Sequence, residues 1–470
     1  MIKFGTGGWR AIIGEDFIKD NVLLVAQAVA NIMKSENVTE KGLVVGYDRR
    51  FLSERSAIWV SEVMAGNNIP VQIINKISPT PLIMYYAKTR GNHYGMAITA
   101  SHNPADYNGI KIFTLGGRDA TEEVTEKVEA IIATLTKEDV QHMDYDEAKE
   151  KGIIKEVNPF NEYIDTILGM LNVEAIREKE LKVLVDPMFG VSKNSLQALL
   201  ISCRCEVDVI HDRHDTTFGG RLPSPSAVTL SRLANMVVEK KYDIGIGTDG
   251  DADRLGIIDE KGDYIHPNDI MALLYYYLLK YKGWQGGVVR NIATTHLLDA
   301  IAERFGEKCY EVPVGFKHIS AKMDETDAVI GGESSGGLTI RGHIKGKDGI
   351  FAAGLLVEMM CVTGKRLGEM LDEIHHEFGD FVMTEADCRF SHAKKDELVE
   401  LLFHEKKLPT FNTPVAKVSY EDGCKVYFEN GGWIIARFSG TEPLIRVFAE
   451  MSTKAEAEAI SKTMLDFLGL

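Results

Sequence analysis

Short β-branched runs alternate with amphipathic stretches along most of the chain. Leu43 to Gly46 precedes Glu54 to Gly66, Ile69 to Ile74 precedes Pro81 to Thr89, and Tyr94 to Thr99 follows. Strand and helix periods that take turns in this way predict βαβ units. The rhythm restarts at Leu181 to Asp186, passes through a helical stretch to Val207 to His211, and reaches Tyr242 to Gly247 after a helix over Ala227 to Lys241. A third unit is predicted from the helical run His266 to Tyr281, then Gly287 to Asn291, Thr295 to Phe305, Asp327 to Gly332 and the apolar helix Gly349 to Val362. The C-terminal part differs: Val415 to Tyr420, Cys424 to Glu429, Gly432 to Ala436 and Leu444 to Ala449 follow one another through short turns, with a helix from Thr453. That order predicts an antiparallel sheet with a closing helix. The fold class is therefore α/β, with α/β domains over residues 1–160, 161–260 and 261–375 and a smaller α+β domain over 376–470. No low-complexity linker separates them, so a ligand cleft between packed domains is expected.

Composition narrows the function. At 470 residues, 45% hydrophobic and 26% charged, the chain is globular and too long for one core. A formal net charge of −16 opposes non-specific binding to nucleic acid or anionic lipid, so any phosphate site must be local. The six cysteines are scattered, and only Cys203 and Cys205 are close, at a spacing that suits no zinc knuckle. The chain starts MIKFGTGGWR without an apolar core segment, and the stretch Gly349 to Val362 is interrupted by Glu358 and too short to span a bilayer. A cytoplasmic protein with no membrane or nucleic-acid partner is expected.

Five loops join small residues to charged or hydroxyl-bearing ones. Thr99-Ala100-Ser101-His102-Asn103-Pro104 follows a predicted strand, with Asn108, Gly109 and Lys111 beyond. A serine there can present its hydroxyl to a cleft, with His102 and Lys111 offsetting phosphate charge, or the segment is a capping turn. Asp249-Gly250-Asp251-Ala252-Asp253-Arg254 places three carboxylates at alternate positions, suited to one hard cation. A calcium loop competes, because Glu260 stands at the twelfth position from Asp249. Against it, Arg254 occupies the place of the turn glycine and the flanks read as strands; a solvated acidic turn is the third reading. Gly331-Gly332-Glu333-Ser334-Ser335-Gly336-Gly337 offers a carboxylate and hydroxyls for sugar hydroxyls, or is a glycine-rich turn. Arg437-Phe438-Ser439-Gly440-Thr441-Glu442-Pro443, with Arg446 beyond, combines a guanidinium fork, hydroxyls and amides fit for a phosphate dianion. Gly5-Thr6-Gly7-Gly8-Trp9-Arg10 is the fifth.

In this order the loops resemble those of the α-D-phosphohexomutase family, over a span from Gly5 to Arg446. The resemblance implies a four-domain architecture, three related α/β domains plus a smaller C-terminal α+β domain around a central cleft. It implies a phosphoserine at Ser101, with His102, Lys111, Arg10 and Arg254 beside it, and magnesium held by Asp249, Asp251 and Asp253 with the phosphoserine. It implies sugar contacts from Glu333 and Ser335, and a grip on the non-transferred phosphate from Arg437, Ser439, Gly440, Thr441 and Arg446. Relatives directed to mannose or glucosamine carry a histidine soon after the serine of the third loop, where this chain has Gly336-Gly337. It continues instead through His343 to Lys347-Asp348-Gly349, which resembles the HxxxKDG segment of the glucose branch, as do Phe218-Gly219-Gly220 and Arg290-Asn291. Arg290 and Lys347 thereby join the expected substrate contacts.

The implied activity is that of an isomerase-class phosphotransferase interconverting glucose 1-phosphate and glucose 6-phosphate, with Mg²⁺ as cofactor and glucose 1,6-bisphosphate as intermediate and activator. Catalysis of this kind rests on positioning and electrostatics, and the base that takes the hydroxyl proton is Lys111 or Lys347. Phosphomannomutase and phosphopentomutase activities share the machinery, while a calcium-binding module and a sugar-phosphate sensor without turnover are readings from other classes. The expected partner is a small-molecule hexose phosphate, and the assembly a monomer or homodimer.

Overall fold

The run Leu43–Tyr47 is buried at every position, which an apolar β-branched segment achieves in the middle of a sheet covered on both faces. In the computed structural model, which describes residues 2–438 and 444–470, this strand pairs in parallel with Val71–Ile74 and with Tyr94–Ile98. The sheet runs Phe4–Gly5, Gly8–Ile12, Tyr107–Thr114, Tyr94–Ile98, Leu43–Tyr47, Val71–Ile74, Ile154–Val157. Helices Lys19–Ser35 and Ser53–Gly66 contribute Val22, Val29, Met33, Val60 and Met64 to its core. Tyr107–Thr114 runs antiparallel to Tyr94–Ile98, so the chain doubles back over residues 99–106 and Ser101 sits on that reversal.

A second sheet is ordered Glu206–Val209, Lys182–Asp186, Ile244–Thr248, Leu255–Ile258, Tyr264–Ile265. Its first three strands are parallel, whereas Ile244–Thr248 and Leu255–Ile258 pair antiparallel with Thr248 opposite Leu255. The acidic loop therefore closes a strand-to-strand turn, and the helix–loop–helix that a calcium loop needs is absent here. A hairpin of Ile330–Gly332 and Leu338–Ile340 carries the glycine-rich third loop. Helix Gly349–Thr363 is buried over almost all its length and packs on helix Lys193–Ser202. These elements form one compact unit, residues 1–270 with 330–368; residues 271–329 with 369–470 form another.

In the second unit Val288–Asn291 and Cys309–Val312 make a parallel pair. A five-stranded antiparallel sheet is ordered Val382–Arg389, Leu444–Met451, Trp433–Phe438, Cys424–Phe428, Val415–Ser419. Helix Lys454–Leu468, capped by the Thr453 hydroxyl, covers one face with Ala457, Ile460 and Met464. Buried Lys425 reaches the Ile292 carbonyl at 2.7 Å and Glu311 Oε2 at 2.7 Å, and Trp433 Nε1 donates to Glu450 at 2.8 Å. All six cysteines are free thiols. Among the described residues no helix is long and apolar enough to cross a membrane.

Candidate functional site

Ser101 has a positive φ of 51°, a conformation that costs a non-glycine residue energy and persists where surroundings over-determine it. Those surroundings begin at the end of strand Leu43–Tyr47. Asp48 Oδ2 accepts from the Thr99 hydroxyl at 2.6 Å, and that hydroxyl accepts the Ser101 N–H at 2.9 Å. Arg50, 3% exposed, donates to the carbonyls of Ser101 (2.7 Å), Asn103 (2.6 Å), Pro104 (2.6 Å) and Tyr107 (2.9 Å). Its guanidinium lies 4.8 Å from the Phe218 ring centroid. One side chain thus satisfies four backbone acceptors of the serine loop.

The Ser101 hydroxyl donates to Asp249 Oδ2 at 2.8 Å and lies 3.3 Å from His102 Nδ1. Gly250 permits this approach, since a Cβ there would stand 2.7 Å from the Ser101 carbonyl oxygen. Lys111 Nζ donates to Asp251 Oδ2 and Asp253 Oδ2, each at 2.7 Å. Thr80 Oγ1 donates to the same Asp251 oxygen at 2.6 Å. Arg254 returns its backbone N–H to Asp249 Oδ1 at 3.0 Å, and Lys347 Nζ lies 3.2 Å from Asp253 Oδ2. Arg10 donates to Asn103 Oδ1 at 2.6 Å. The structure therefore brings Ser101, His102, Lys111, Arg10, Arg254, Lys347 and the three aspartates together in the first unit.

Burial opposes charge on all three aspartates. It combines with the Asp251 and Asp253 carboxylates to push the Asp249 carboxyl well above its usual range. At Asp253 the attraction of Lys111, Lys347 and Arg254 prevails and holds the carboxyl well below it, and Lys111 lowers Asp251 likewise. The Arg254 guanidinium, followed by burial and Arg10, pulls the His102 imidazole well below its ordinary value. Burial, then Arg254, lowers Arg10. The buried oxygens left over point to a cation: Asp251 Oδ1 and Asp253 Oδ1 have no hydrogen-bond partner, and one oxygen of each aspartate falls within a 4.8 Å cluster. A hard, oxygen-seeking divalent ion fits that donor set.

On the third loop Glu333 is buried and accepts the Ser335 hydroxyl at 3.4 Å. Gly337 lies close against its neighbour: a Cβ there would stand 2.2 Å from Lys347 Cδ, so the lysine stem would have to move. The lysine side chain fills the space that a residue other than glycine would need. Asp348 fixes the lysine's backbone. Its Oδ1 caps helix Gly349–Thr363 through the N–H groups of Ile350 and Phe351, and its Oδ2 accepts from Tyr163 at 2.7 Å and meets His343 Nε2 at 2.6 Å. The histidine of the HxxxKDG segment is thus spent on orienting Asp348.

In the second unit Arg437 and Arg446 face each other across strands Trp433–Phe438 and Leu444–Met451. Ser439, Gly440 and Thr441 lie outside the described residues. Arg290 is 3% exposed and is held by Asp299 at 2.7 and 3.1 Å and by Glu311 at 2.6 Å. Sequence reasoning missed Arg50, Asp48 and Thr80, although Asp48-Arg49-Arg50 directly after an all-apolar strand was a legible signal. It missed Asp119 as well, whose carboxyl burial pushes up while Lys347 and Lys111 pull it down.

Comparison with known proteins gives four family matches, described as phosphoglucomutase/phosphomannomutase α/β/α domain I (residues 1–139), domain II (161–262), domain III (266–378) and C-terminal domain (393–467). A Thermococcus kodakarensis protein named phosphoglucomutase/phosphomannomutase is 31% identical over 97% of this chain and 95% of its own length. A probable phosphoglucosamine mutase of Pyrococcus furiosus is 30% identical over 98% and 96%. Among solved structures, a putative phosphomannomutase from Thermus thermophilus superimposes with a TM-score of 0.84 at 26% identity, covering 99% of this chain and 97% of that one.

Proposed function

The chain belongs to the phosphoglucomutase/phosphomannomutase family of isomerase-class phosphotransferases, with that family's three α/β/α domains and C-terminal domain, and from that premise we propose that it interconverts glucose 1-phosphate and glucose 6-phosphate through a phosphoserine at Ser101. The observation that carries the choice of sugar is the exclusion between Gly337 and Lys347. Where mannose- and glucosamine-directed relatives carry histidine this chain has Gly336-Gly337, and the Lys347 stem packs against Gly337 with its ammonium at Asp253.

In the forward reaction the Ser101 O–P bond breaks as the free sugar hydroxyl oxygen bonds to phosphorus, and the hydroxyl proton ends on the departing Ser101 Oγ; Lys111, an ammonium donating to Asp251 and Asp253, and Lys347 beside Asp253 contribute positive charge. The resulting glucose 1,6-bisphosphate reverses its orientation, and its other phosphoryl group returns to Ser101. Arg10 and Arg254 supply fixed positive charge for the phosphoryl oxygens, while Asp48, Thr99 and Arg50 hold the serine in line. Glu333 and Ser335 orient the sugar hydroxyls, and Arg437 and Arg446 hold the phosphate that is not moving. Asp249, Asp251 and Asp253 would bind Mg²⁺, which supplies charge neutralisation for the transferring group. Catalytic glucose 1,6-bisphosphate should restore enzyme that has lost its phosphate.

A second reading, phosphoglucosamine mutase, is favoured by relatives of comparable identity that bear that name. A coupled assay over glucose, glucosamine, mannose and ribose 1-phosphates separates the two: the highest kcat/KM is expected for glucose, and a higher value for any other sugar overturns the proposal. Intact mass should show one phosphoryl group on the wild type and none on Ser101→Ala, with activity lower by orders of magnitude. Normal turnover by that variant would refute the phosphoserine route.

A further inference from the structure

We propose that Asp422 is a positioning residue that aims the Arg437 guanidinium at the non-transferred phosphate, a step that rests on the reading of Arg437 given above. Arg437 and Arg446 are direct cross-strand partners, and like charges so placed repel. Among the described residues each pairs with a carboxylate, but the two pairs are not equivalent. Arg446 Nε lies 3.4 Å from Asp387 Oδ1, with side chains 41% and 58% exposed, an arrangement that water and salt screen. Arg437 Nε donates to Asp422 Oδ1 at 2.7 Å with side chains 18% and 20% exposed, so this pair fixes direction.

Asp422 is itself held at both oxygens. Its Oδ2 accepts the Val314 N–H at 2.7 Å, on the segment that leads into helix Phe316–Thr326. The following residue presses the turn against the arginine: Gly423 has a φ of 98°, and a Cβ there would stand 3.0 Å from Arg437 Cβ and 2.9 Å from the Ala436 carbonyl. A carboxylate tethered in this way cannot rotate with the guanidinium. With Nε fixed, the planar fork presents its terminal nitrogens along one line, the geometry that two-point recognition of a phosphate requires. Asp422 carries the wrong charge to bind phosphate, so its part is orientation alone.

Steady-state kinetics of the full-length enzyme with glucose 1-phosphate, on Asp422→Asn, Asp422→Glu, Arg437→Met and the Asp422→Asn/Arg437→Met pair, test this. Asp422→Asn should raise KM on the order of tenfold with kcat nearly kept, Asp422→Glu should restore part of the loss, and the aspartate change should add nothing once Arg437 is gone. Raised KM for Arg437→Met with unchanged KM for Asp422→Asn overturns the positioning role and leaves the phosphate reading standing. Unchanged KM in both single variants overturns the phosphate reading and this inference with it. A lower kcat and weaker fold for Asp422→Asn at unchanged KM assigns Asp422 to structure and also overturns the proposal.

Discussion

Replacing Arg50 with methionine keeps much of the side-chain volume and removes every donor. The guanidinium makes four hydrogen bonds of 2.6–2.9 Å to carbonyls of residues 101–107. Charge-assisted bonds are worth roughly 1.5–3 kcal/mol apiece, though not additively. The Asp48 carboxylate, 3.5 Å from Arg50 Nε, would be left as a buried charge without its cation, and such losses cost about 3–5 kcal/mol. Burial alone lowers the Arg50 pKa and raises that of Asp48, and their mutual attraction does not overcome it at either group. The pair is therefore poorly explained as a source of stability and well explained as a holder of the serine loop. A shift of about 1 Å in a reacting group costs roughly 100-fold in rate, and that is the loss expected in transfer from phosphoserine to glucose 1-phosphate, read by rapid quench, with the KM for sugar little changed. Arg50→Lys should be intermediate, since three ammonium donors cannot serve four carbonyls. Full transfer rate in a folded Arg50→Met protein would refute the reasoning, and circular dichroism with limited proteolysis establishes that the variant is folded.

Asp251→Asn should weaken magnesium binding and slow turnover together, because one anionic ligand leaves a three-carboxylate set and Lys111 loses one of its two charged partners; a magnesium titration of activity that matches the wild type would make the loop structural. Lys425, 0% exposed, gives a stability signature with a definite sign. Burial, then the Arg290 charge, pulls its ammonium down to about 8, whereas Glu311, despite its own burial, is held low by hydrogen bonds and by the cations on either side of it. The unfolded chain keeps the lysine proton up to about pH 10.4, so between about 8 and that value it binds more protons than the native state and stability rises with pH. A drop from 10.5 to about 8, at about 1.4 kcal/mol per unit, puts the ceiling of the gain at roughly 3 kcal/mol. Chemical denaturation of wild type against Lys425→Met should show the difference growing in favour of the wild type over that window; a flat difference would contradict the assignment.

Alternating strand and helix periods revealed most of the α/β elements because buried parallel strands such as Leu43–Tyr47 are apolar throughout. Val382–Arg389 escaped notice. It is an edge strand with Thr384, Glu385 and Asp387 in its span and alternating half-exposed positions, and its partner strand, not its own composition, specifies it. The strand Tyr107–Thr114 was likewise read only as residues trailing the serine loop, yet it is what carries Lys111 beneath the aspartates. The serine, the aspartates and the lysines were legible because their chemistry is local to short loops. Arg50 and Asp422 were not, since their roles consist of contacts made 51 and 15 residues away in sequence. Arg290 joined the expected contacts through the resemblance, and its ion-pair partners Asp299 and Glu311, 9 and 21 residues further on, had no local signal to announce them.

The close fit of Gly337 against Lys347 makes these two positions epistatic. A larger residue at 337 displaces the lysine stem and with it the ammonium at Asp253, while a short residue at 347 alone leaves the space empty and Asp253 with one cation fewer. Either single change passes through an impaired enzyme, so drift between a lysine-bearing and a histidine-bearing cleft meets a fitness valley. Libraries meant to redirect the sugar preference should accordingly vary residues 337 and 347 in the same clone.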